Sequence, residues 1–491
     1  MRLKTAAASS LSASTPLVAV LVADDRPDRV PGGPLGARAA ALMRREVFEG
    51  KPRETLVLHD EDERGPRSLL LVGMGPAGDA TTEDARRAGA IVVNEATRLG
   101  ARKVVVGAAG AYASGRTAVP ADHVQPLGEG AVLAGYRYSG APKHKRERKP
   151  PNEVAIVGSG SRAKTSLTTA AALGDAQNLA REVGDSPSNV ATPKHLTKVA
   201  KDLCRAGGLR CRVYGEKDLE RMKYGAILGV GQGSEQESFL IEMEYRPAKP
   251  KATVCVVGKG LTFDTGGISI KPAQKMEDMK YDMCGAAAVL GLMQAVGALK
   301  PKGVRVIGLV GTAENMPDGR SYKPGDVVRS GSGQTIEVIN TDAEGRVVLA
   351  DALHHATTRK PDAIIDLATL TGAIVVALGH EAAGVFCKDD VLARRLLDAA
   401  ARTDERCWRM PTYDEYAEKL ESPYADVRNV TNSRDAGSCS AAQFLFRFSK
   451  DVPHAHLDIA GVANDTRARD YHTGGGVGFG VRLVYDAIAH W

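Results

Sequence analysis

The sequence predicts an α/β protein in two domains, on three observations. Short β-branched runs alternate with alanine-rich helical stretches, one long helical stretch near residue 163 interrupts the series, and 491 residues exceed a single ordinary core. Strand candidates in the first part are 17–23 (LVAVLVA), 54–59 (ETLVLH), 68–73 (SLLLVG), 103–108 (KVVVGA) and 153–158 (EVAIVG). Between them, 82–99 has helical periodicity, and 140–152, which contains KHKRERKPP, reads as a solvated loop. The long helical stretch is 163–182; the Pro and Asn residues of DSPSNVATPKHL break it, and another helix starts at Pro193. Further strands are expected at 226–230, 239–243, 253–257, 304–310 and 363–367, with helices between them. The junction falls on the long helix, giving a smaller α/β domain over residues 1–162 and a larger one over 163–491, its sheet mixed or mainly parallel and packed on both faces.

Composition narrows the function classes. The 65 basic and 59 acidic side chains leave a formal charge of +6, too mild an excess to argue for nucleic-acid or membrane-surface binding. The basic run 143–149 reads as solvated surface; a nucleic-acid-binding or regulatory protein is the alternative it would support. Seven cysteines (Cys204, Cys211, Cys255, Cys284, Cys387, Cys407, Cys439) form no C-x-x-C pair, which points to a reducing compartment and away from a zinc-thiolate site. The apolar stretch 16–23 is short for a signal segment, and no run of roughly 18 apolar residues suggests a membrane span.

Several short motifs fail on chemistry. Gly73, Gly75 and Gly78 follow a strand as G-x-G-x-x-G, but the next strand ends without the acidic residue that would hold a ribose, and Pro76 and Asp79 crowd the cradle. GSGSRAKT has Ala163 where a phosphate loop needs its second glycine. HEAAG at His380 lacks the second histidine of a zinc helix, and no G-x-S-x-G elbow occurs.

Two other segments concentrate charge where strands should end. VCVVGKGLTFDTGGISIKPAQKMEDMKYDMCGAAAVLGL carries Lys259, Asp264, Lys271 and Asp282, and INTDAEGRVVLADAL carries Asp342, Glu344 and Arg346. Sites in open α/β sheets lie at the carboxyl ends of strands. Asp342, Glu344 and Arg346 recur at every second residue, which in extended chain turns all three to one side, and Gly345 lets backbone pass close to what they grip. Alone, that pattern is equally an exposed ion-pair ladder. With the first segment, four carboxylates converge, and they would repel unless cations sat among them. Two divalent ions would match their charge, and bridging carboxylates suit a pair about 3.5 to 4 Å apart. Without clustered histidines the site is mostly oxygen-donor, open to Zn²⁺ and also to Mn²⁺ or Mg²⁺.

NTDAEGR, VGKGLTFDTGGISIKP and MKYDMCGAAAV together resemble the signature set of the leucyl aminopeptidases, and the likeness continues through GTAENMPDGRSYKPGDVV, DLATLTGA, AQFLFRF and HLDIAGVA. The resemblance implies a two-metal aminopeptidase that releases N-terminal residues, with a leucine-like preference, from peptides. It implies an N-terminal macro-like domain, a catalytic domain with a central mixed sheet, and a cytoplasmic homohexamer. Lys259, Asp264, Asp282, Asp342 and Glu344 would be the ligands of two divalent cations (Zn²⁺ or Mn²⁺) per subunit, with Asp264 and Glu344 bridging. Lys271 and Arg346 would be catalytic, Arg346 holding a bicarbonate that moves the proton. Lysine can ligate only when neutral, which nearby dications permit; as an ordinary ion-pair partner Lys259 would stay charged. Thr369, Leu370 and Gly372 would line the substrate cleft, and Met279, Ala460 and Ala463 the pocket for the first residue, roomier here because some relatives carry Met at the position of Ala463. Ordinary core packing is the other reading of these apolar positions. His454 stands where relatives usually carry Trp.

Overall fold

In the computed structural model, which describes residues 1–25, 27–60, 67–142, 148–158, 160–465, 467–468 and 470–491, the strand-forming runs assemble into two principal sheets. The first contains β1 (Arg2–Ala6), β2 (Leu17–Val22), β3 (Thr55–His59), β4 (Ser68–Gly73), β5 (Lys103–Ala109) and β6 (Glu153–Val157) in the order β1-β6-β5-β2-β4-β3. Neighbours run parallel except β3, which is antiparallel to β4. Strand β1 was not expected: its polar sequence RLKTA suits an edge, where only one side needs a partner. The helices are α1 (Pro34–Arg44), α2 (Thr82–Leu99), α3 (Val124–Ala134) and α4 (Gly160–Asp185). Alternation along β2 divides its side chains between two cores: Leu17, Ala19 and Leu21 pack with α2 and α3, Val18, Val20 and Val22 with α1. A capping box of Thr81 and Asp84 starts α2, and left-handed Gly100 ends it. A Cβ on Gly73 would lie 2.0 Å from the Lys51 carbonyl oxygen. That glycine admits crossing backbone, which accounts for it without a dinucleotide.

The compact units are Met1–Asp175 with Arg467–Thr473, and Ala176–Thr466 with Gly474–Trp491, so the chain passes from one to the other within α4. The second unit continues with α5 (Pro193–Gly207), β7 (Arg210–Tyr214), α6 (Glu216–Met222), α7 (Gly225–Gly231), β8 (Phe239–Tyr245), β9 (Ala252–Asp264), α8 (Cys284–Leu299), β10 (Val304–Asn315), β11 (Val327–Arg329), β12 (Thr335–Glu337) and α9 (Glu344–Thr358). It ends with β13 (Ala363–Ala368), α10 (Gly372–Leu378), β14 (Ala383–Cys387), α11 (Asp390–Thr403), β15 (Cys407–Met410), α12 (Glu415–Glu418), β16 (Val427–Arg428), α13 (Gly437–Phe446), β17 (His454–Asp458) and α14 (Val481–Ala489).

Its eight-stranded sheet has the order β15-β14-β17-β13-β9-β10-β8-β7 and is mixed. The central strands β17, β13, β9 and β10 run parallel, while β14 and β8 are antiparallel to their inner neighbours. The carboxyl ends of four central strands therefore share one edge, and this is what positions the site. Cys255, Val257 and Leu261 of β9 pack with α9 on one face. On the other, Gly258 and Gly308 let α8 approach: a Cβ at either would meet Gly285 backbone at 2.6 Å or Met293 at 2.7 Å. The stretch Met276–Leu299, apolar and long enough to cross a membrane, is 83% buried against this sheet over its apolar window and is a core helix. One expected strand is a helix. Residues 226–230 lie in α7, because the buried Asp351 carboxylate accepts the amides of Ala226 and Ile227, each at 2.9 Å, and supplies the cap that the local sequence lacks. Most of the basic run 143–149 lies outside the described residues.

Candidate metal centre

Thirteen-residue β9 delivers two of the predicted residues, Lys259 from its middle and Asp264 from its end. The turn Met276–Met283 brings Asp282 back beneath it, and Asp342 and Glu344 arrive at the start of α9, where the helix dipole favours a carboxylate. Lys259 Nζ, 3% exposed as a residue, lies 2.9 Å from Asp282 Oδ2, 2.9 Å from Glu344 Oε1 and 2.9 Å from the Thr369 carbonyl oxygen. Lys271 Nζ lies 2.8 Å from Asp264 Oδ2 and also meets Asp342 Oδ1. Asp264, Asp342 and Glu344 each offer an oxygen such that all three lie within 4.8 Å of one another. Thus the five predicted ligands and Lys271 converge in space.

Glycines make this convergence possible at two points. A Cβ on Gly345 would lie 2.4 Å from Lys259 Cε, so the lysine passes over the first turn of α9 only because residue 345 has no side chain. Gly266, with φ at +88°, takes a left-handed conformation next to Asp342, 2.9 Å from where its Cβ would be.

The geometry corrects the extended-chain reading of Asp342, Glu344 and Arg346. Helix α9 begins at Glu344, so Arg346, two residues on, is rotated by about 200° from it. Glu344 turns toward Lys259, whereas buried Arg346 donates from Nη1 to the Asn429 carbonyl at 2.8 Å. The Arg346 Nε has no hydrogen-bond partner.

The electrostatics identify what the site accepts. Burial, with Asp264 adding to it, pushes Glu344 up to about 8. Burial likewise pushes Asp282 up to about 6 against the pull of Lys259, and raises Asp342. Burial also works against the charged Lys259 and Lys271, yet the facing carboxylates hold both above the usual lysine range. Acids and bases are raised together because four carboxylates face two ammonium groups, a deficit of positive charge. Glu344 Oε2 is buried without any hydrogen-bond partner, a costly state for a carboxylate oxygen that a cation would relieve. The donor set, carboxylates with one amine, fits divalent metal. Arg346 is lowered to about 10 by burial, with Glu344 and Asp458 opposing.

Of the predicted substrate residues, one touches this centre directly. Thr369 is bound into it: its hydroxyl donates to Asp282 Oδ1 at 2.7 Å and its carbonyl accepts from Lys259. Gly372 opens α10 and is exposed, Met279 is half-buried on the turn that carries Asp282, and Leu370 packs partly against the main core. Ala460 packs partly against a small cluster of Ile374, Phe386, Cys439 and Ala442, and Ala463 is buried.

Residues that the sequence reading missed hold the ligands in place. Asn315 Nδ2 donates to Asp264 Oδ1 at 2.8 Å and to the Thr341 carbonyl at 3.0 Å, and the Gly266 amide donates to the same Asp264 oxygen at 2.9 Å. The Thr341 hydroxyl ties Gly266 and Ser269 to the Asp342 segment. Asn429 and Asp458 serve Arg346 and the 369–372 segment from the C-terminal third of the chain. Their signal was weak: Asn315, Thr341 and Asp458 are lone polar residues in or beside motifs noted for other residues, and Asn429 lies outside every noted motif.

Two sequence profiles match this chain: "Cytosol aminopeptidase family, catalytic domain" over residues 178–485 and "Cytosol aminopeptidase family, N-terminal domain" over residues 32–145. A probable cytosol aminopeptidase of Persephonella marina (strain DSM 14350 / EX-H1) is 39% identical, over 92% of this chain and 90% of its own length. Among solved structures, the bottromycin maturation enzyme BotP in complex with Mn superposes with a TM-score of 0.84 at 35% identity, covering 97% of this chain and 99% of that one. A mutant of tomato leucine aminopeptidase superposes with a TM-score of 0.87 at 29% identity, covering 100% and 97%.

Proposed function

This chain belongs to the cytosol aminopeptidase family and is a metal-dependent aminopeptidase acting on peptides, and from that premise we propose that Lys259, Asp264, Asp282, Asp342 and Glu344 hold two divalent cations, zinc or manganese, per subunit. Asp264 and Glu344 would be the ligands common to both. The observation that carries this reading is the buried Glu344 Oε2, without a hydrogen-bond partner, within a cluster of four carboxylates that two lysines face. Lys259 would serve as a ligand as the neutral amine, although its carboxylate partners favour the charged form while no cation is bound.

When bound, such cations lower the pKa of a water toward neutrality and polarise a carbonyl oxygen. The chain's own side chains do the rest. Lys271, about one-fifth exposed at its side chain and held protonated by Asp264 and Asp342, presents positive charge to the oxygen of the scissile carbonyl as negative charge develops there. Arg346 keeps its Nε donor uncommitted and would hold a bicarbonate, which would supply a proton carrier there. Thr369, Leu370 and Gly372 line the cleft, and Met279, Ala460 and Ala463 form the pocket for the first residue, apolar enough for leucine-like side chains. The catalytic domain spans residues 163–491, following an N-terminal domain over 1–162, and the enzyme works as a cytoplasmic homohexamer.

The test is direct. Purified protein should release leucine from leucine p-nitroanilide, lose that activity on chelation and regain it with Zn²⁺ or Mn²⁺. Full activity in thoroughly metal-free protein would contradict the proposal.

A further inference from the structure

Asp458, the last residue of β17, is assigned no contact with cation or substrate above, yet it is fully buried, faces Arg346 and reaches two separate segments. Its Oδ1 accepts from the amides of Leu370 at 3.2 Å, Thr371 at 3.4 Å and Ala460 at 3.3 Å, and its Oδ2 accepts from the Thr371 hydroxyl at 2.6 Å. The first segment follows β13 and carries Thr369, which is bonded to Asp282 and Lys259. The second is the turn that begins at Ala460. Because Ala368 and Asp458 are register partners in parallel strands, the two segments leave the sheet side by side. The strands are cross-braced behind this point: Asp366 Oδ1 meets His456 Nδ1 at 2.7 Å and Asp366 Oδ2 meets His454 Nε2 at 2.7 Å, with all three residues buried. His454 Nδ1 is anchored in turn on the Ser449 hydroxyl at 3.0 Å.

We propose that Asp458 is a positioning residue that fixes the spacing between the two walls of the first-residue pocket, the 369–372 segment and the 460–463 turn, and thereby selects which N-terminal residue is accepted. This rests on the reading that those segments line the pocket. An ionised carboxylate suits the task because its two oxygens offer about four acceptor sites and no donor. Three amides and a hydroxyl, all pointing inward from different segments, are then satisfied by one rigid group. Thr369, next to Leu370 in the chain, joins this segment to the metal centre through its bonds to Asp282 and Lys259.

The experiment compares kcat/KM for leucine, alanine and tryptophan amides in wild type, Asp458→Ala and Asp458→Asn, with metal content measured on each. Asparagine keeps an acceptor oxygen for the three amides, while it changes the Thr371 bond and removes the negative charge that faces His456 and Arg346. A pocket difference of one methylene is worth about 10- to 200-fold in discrimination, so Asp458→Ala should shift the leucine-to-alanine ratio by about tenfold with metal content intact, and Asp458→Asn should restore it toward wild type. Should Asp458→Ala fail to fold, Asp458→Glu takes its place, because one added methylene forces the walls apart with the same expected shift. All amides slowing by a common factor, or an equal shift in Asp458→Asn, would overturn the proposal. A wild type inactive on every amide would instead overturn the aminopeptidase reading beneath it.

Discussion

Replacing Gly345 by alanine should damage the metal centre while leaving the fold almost untouched. The new Cβ would lie 2.4 Å from Lys259 Cε, 2.5 Å from Nζ and 2.7 Å from Cδ, and ordinary contact begins at 3.4 Å, so the end of Lys259 must retreat by about 1 Å. It cannot retreat freely, because its ammonium is tied to Asp282, Glu344 and the Thr369 carbonyl, each at 2.9 Å. Overpacking of this kind costs about 1 to 3 kcal/mol, and replacing a helical glycine by alanine returns about 0.5 to 1 kcal/mol. The net change in stability is therefore small. Misplacing a group at a reacting centre by about 1 Å costs on the order of 10²-fold in rate. Gly345→Ala should thus melt within a few degrees of wild type, bind Mn²⁺ more weakly in equilibrium dialysis, and lose about 100-fold in kcat/KM on leucine p-nitroanilide. Wild-type metal affinity and rate in this variant would show that Lys259 can be displaced without consequence, and would refute its assignment as a ligand.

Two further outcomes are expected. Because folded Glu344 keeps its proton to about pH 8, against an ordinary value of 4.5, the metal-free folded state binds more protons than the unfolded chain between those pH values, so its stability should fall as pH rises through that window. Cation affinity should rise over the same window by up to about tenfold per pH unit for each proton displaced, and denaturant melts with and without Mn²⁺ from pH 5 to 9 check both signs. Arg346→Ala should retain metal yet lose rate by about 10² to 10⁴-fold, and added bicarbonate should stimulate the wild type in carbonate-depleted buffer far more than the variant. Lost metal with an unchanged bicarbonate response would make Arg346 a structural partner only.

The strands at 17–23, 68–73 and 253–257 were legible because burial on both faces demands nearly unbroken apolar runs; those at 239–243 and 304–310 each admit one half-buried charge, Glu242 or Arg305. The helix at 226–230 was not, since an apolar run of that length suits either structure and the deciding cap, Asp351, lies more than a hundred residues away. The convergence of Lys259, Asp264, Lys271, Asp282, Asp342 and Glu344 was legible from charge crowded at strand ends. Their orientation was not: alternate spacing suggested extended chain at 342–346, where the helix already begins at Glu344 and separates Arg346 from its neighbours. Asn315, Thr341 and Asp458 escaped notice because a hydrogen bond to a ligand leaves no periodic trace. Even His454, seen as a departure in packing, proved to share Asp366 with His456.

The central claim, that five side chains hold two cations on which hydrolysis depends, is tested most directly by titrating chelator-treated protein with Mn²⁺ while measuring bound metal and leucine p-nitroanilide hydrolysis on the same samples. Binding should saturate at two ions per subunit in wild type, with activity rising to its plateau as the sites fill, and Asp264→Ala, which removes a shared ligand, should lose both. Full activity with no metal bound, or undiminished binding of two ions by Asp264→Ala, would contradict it.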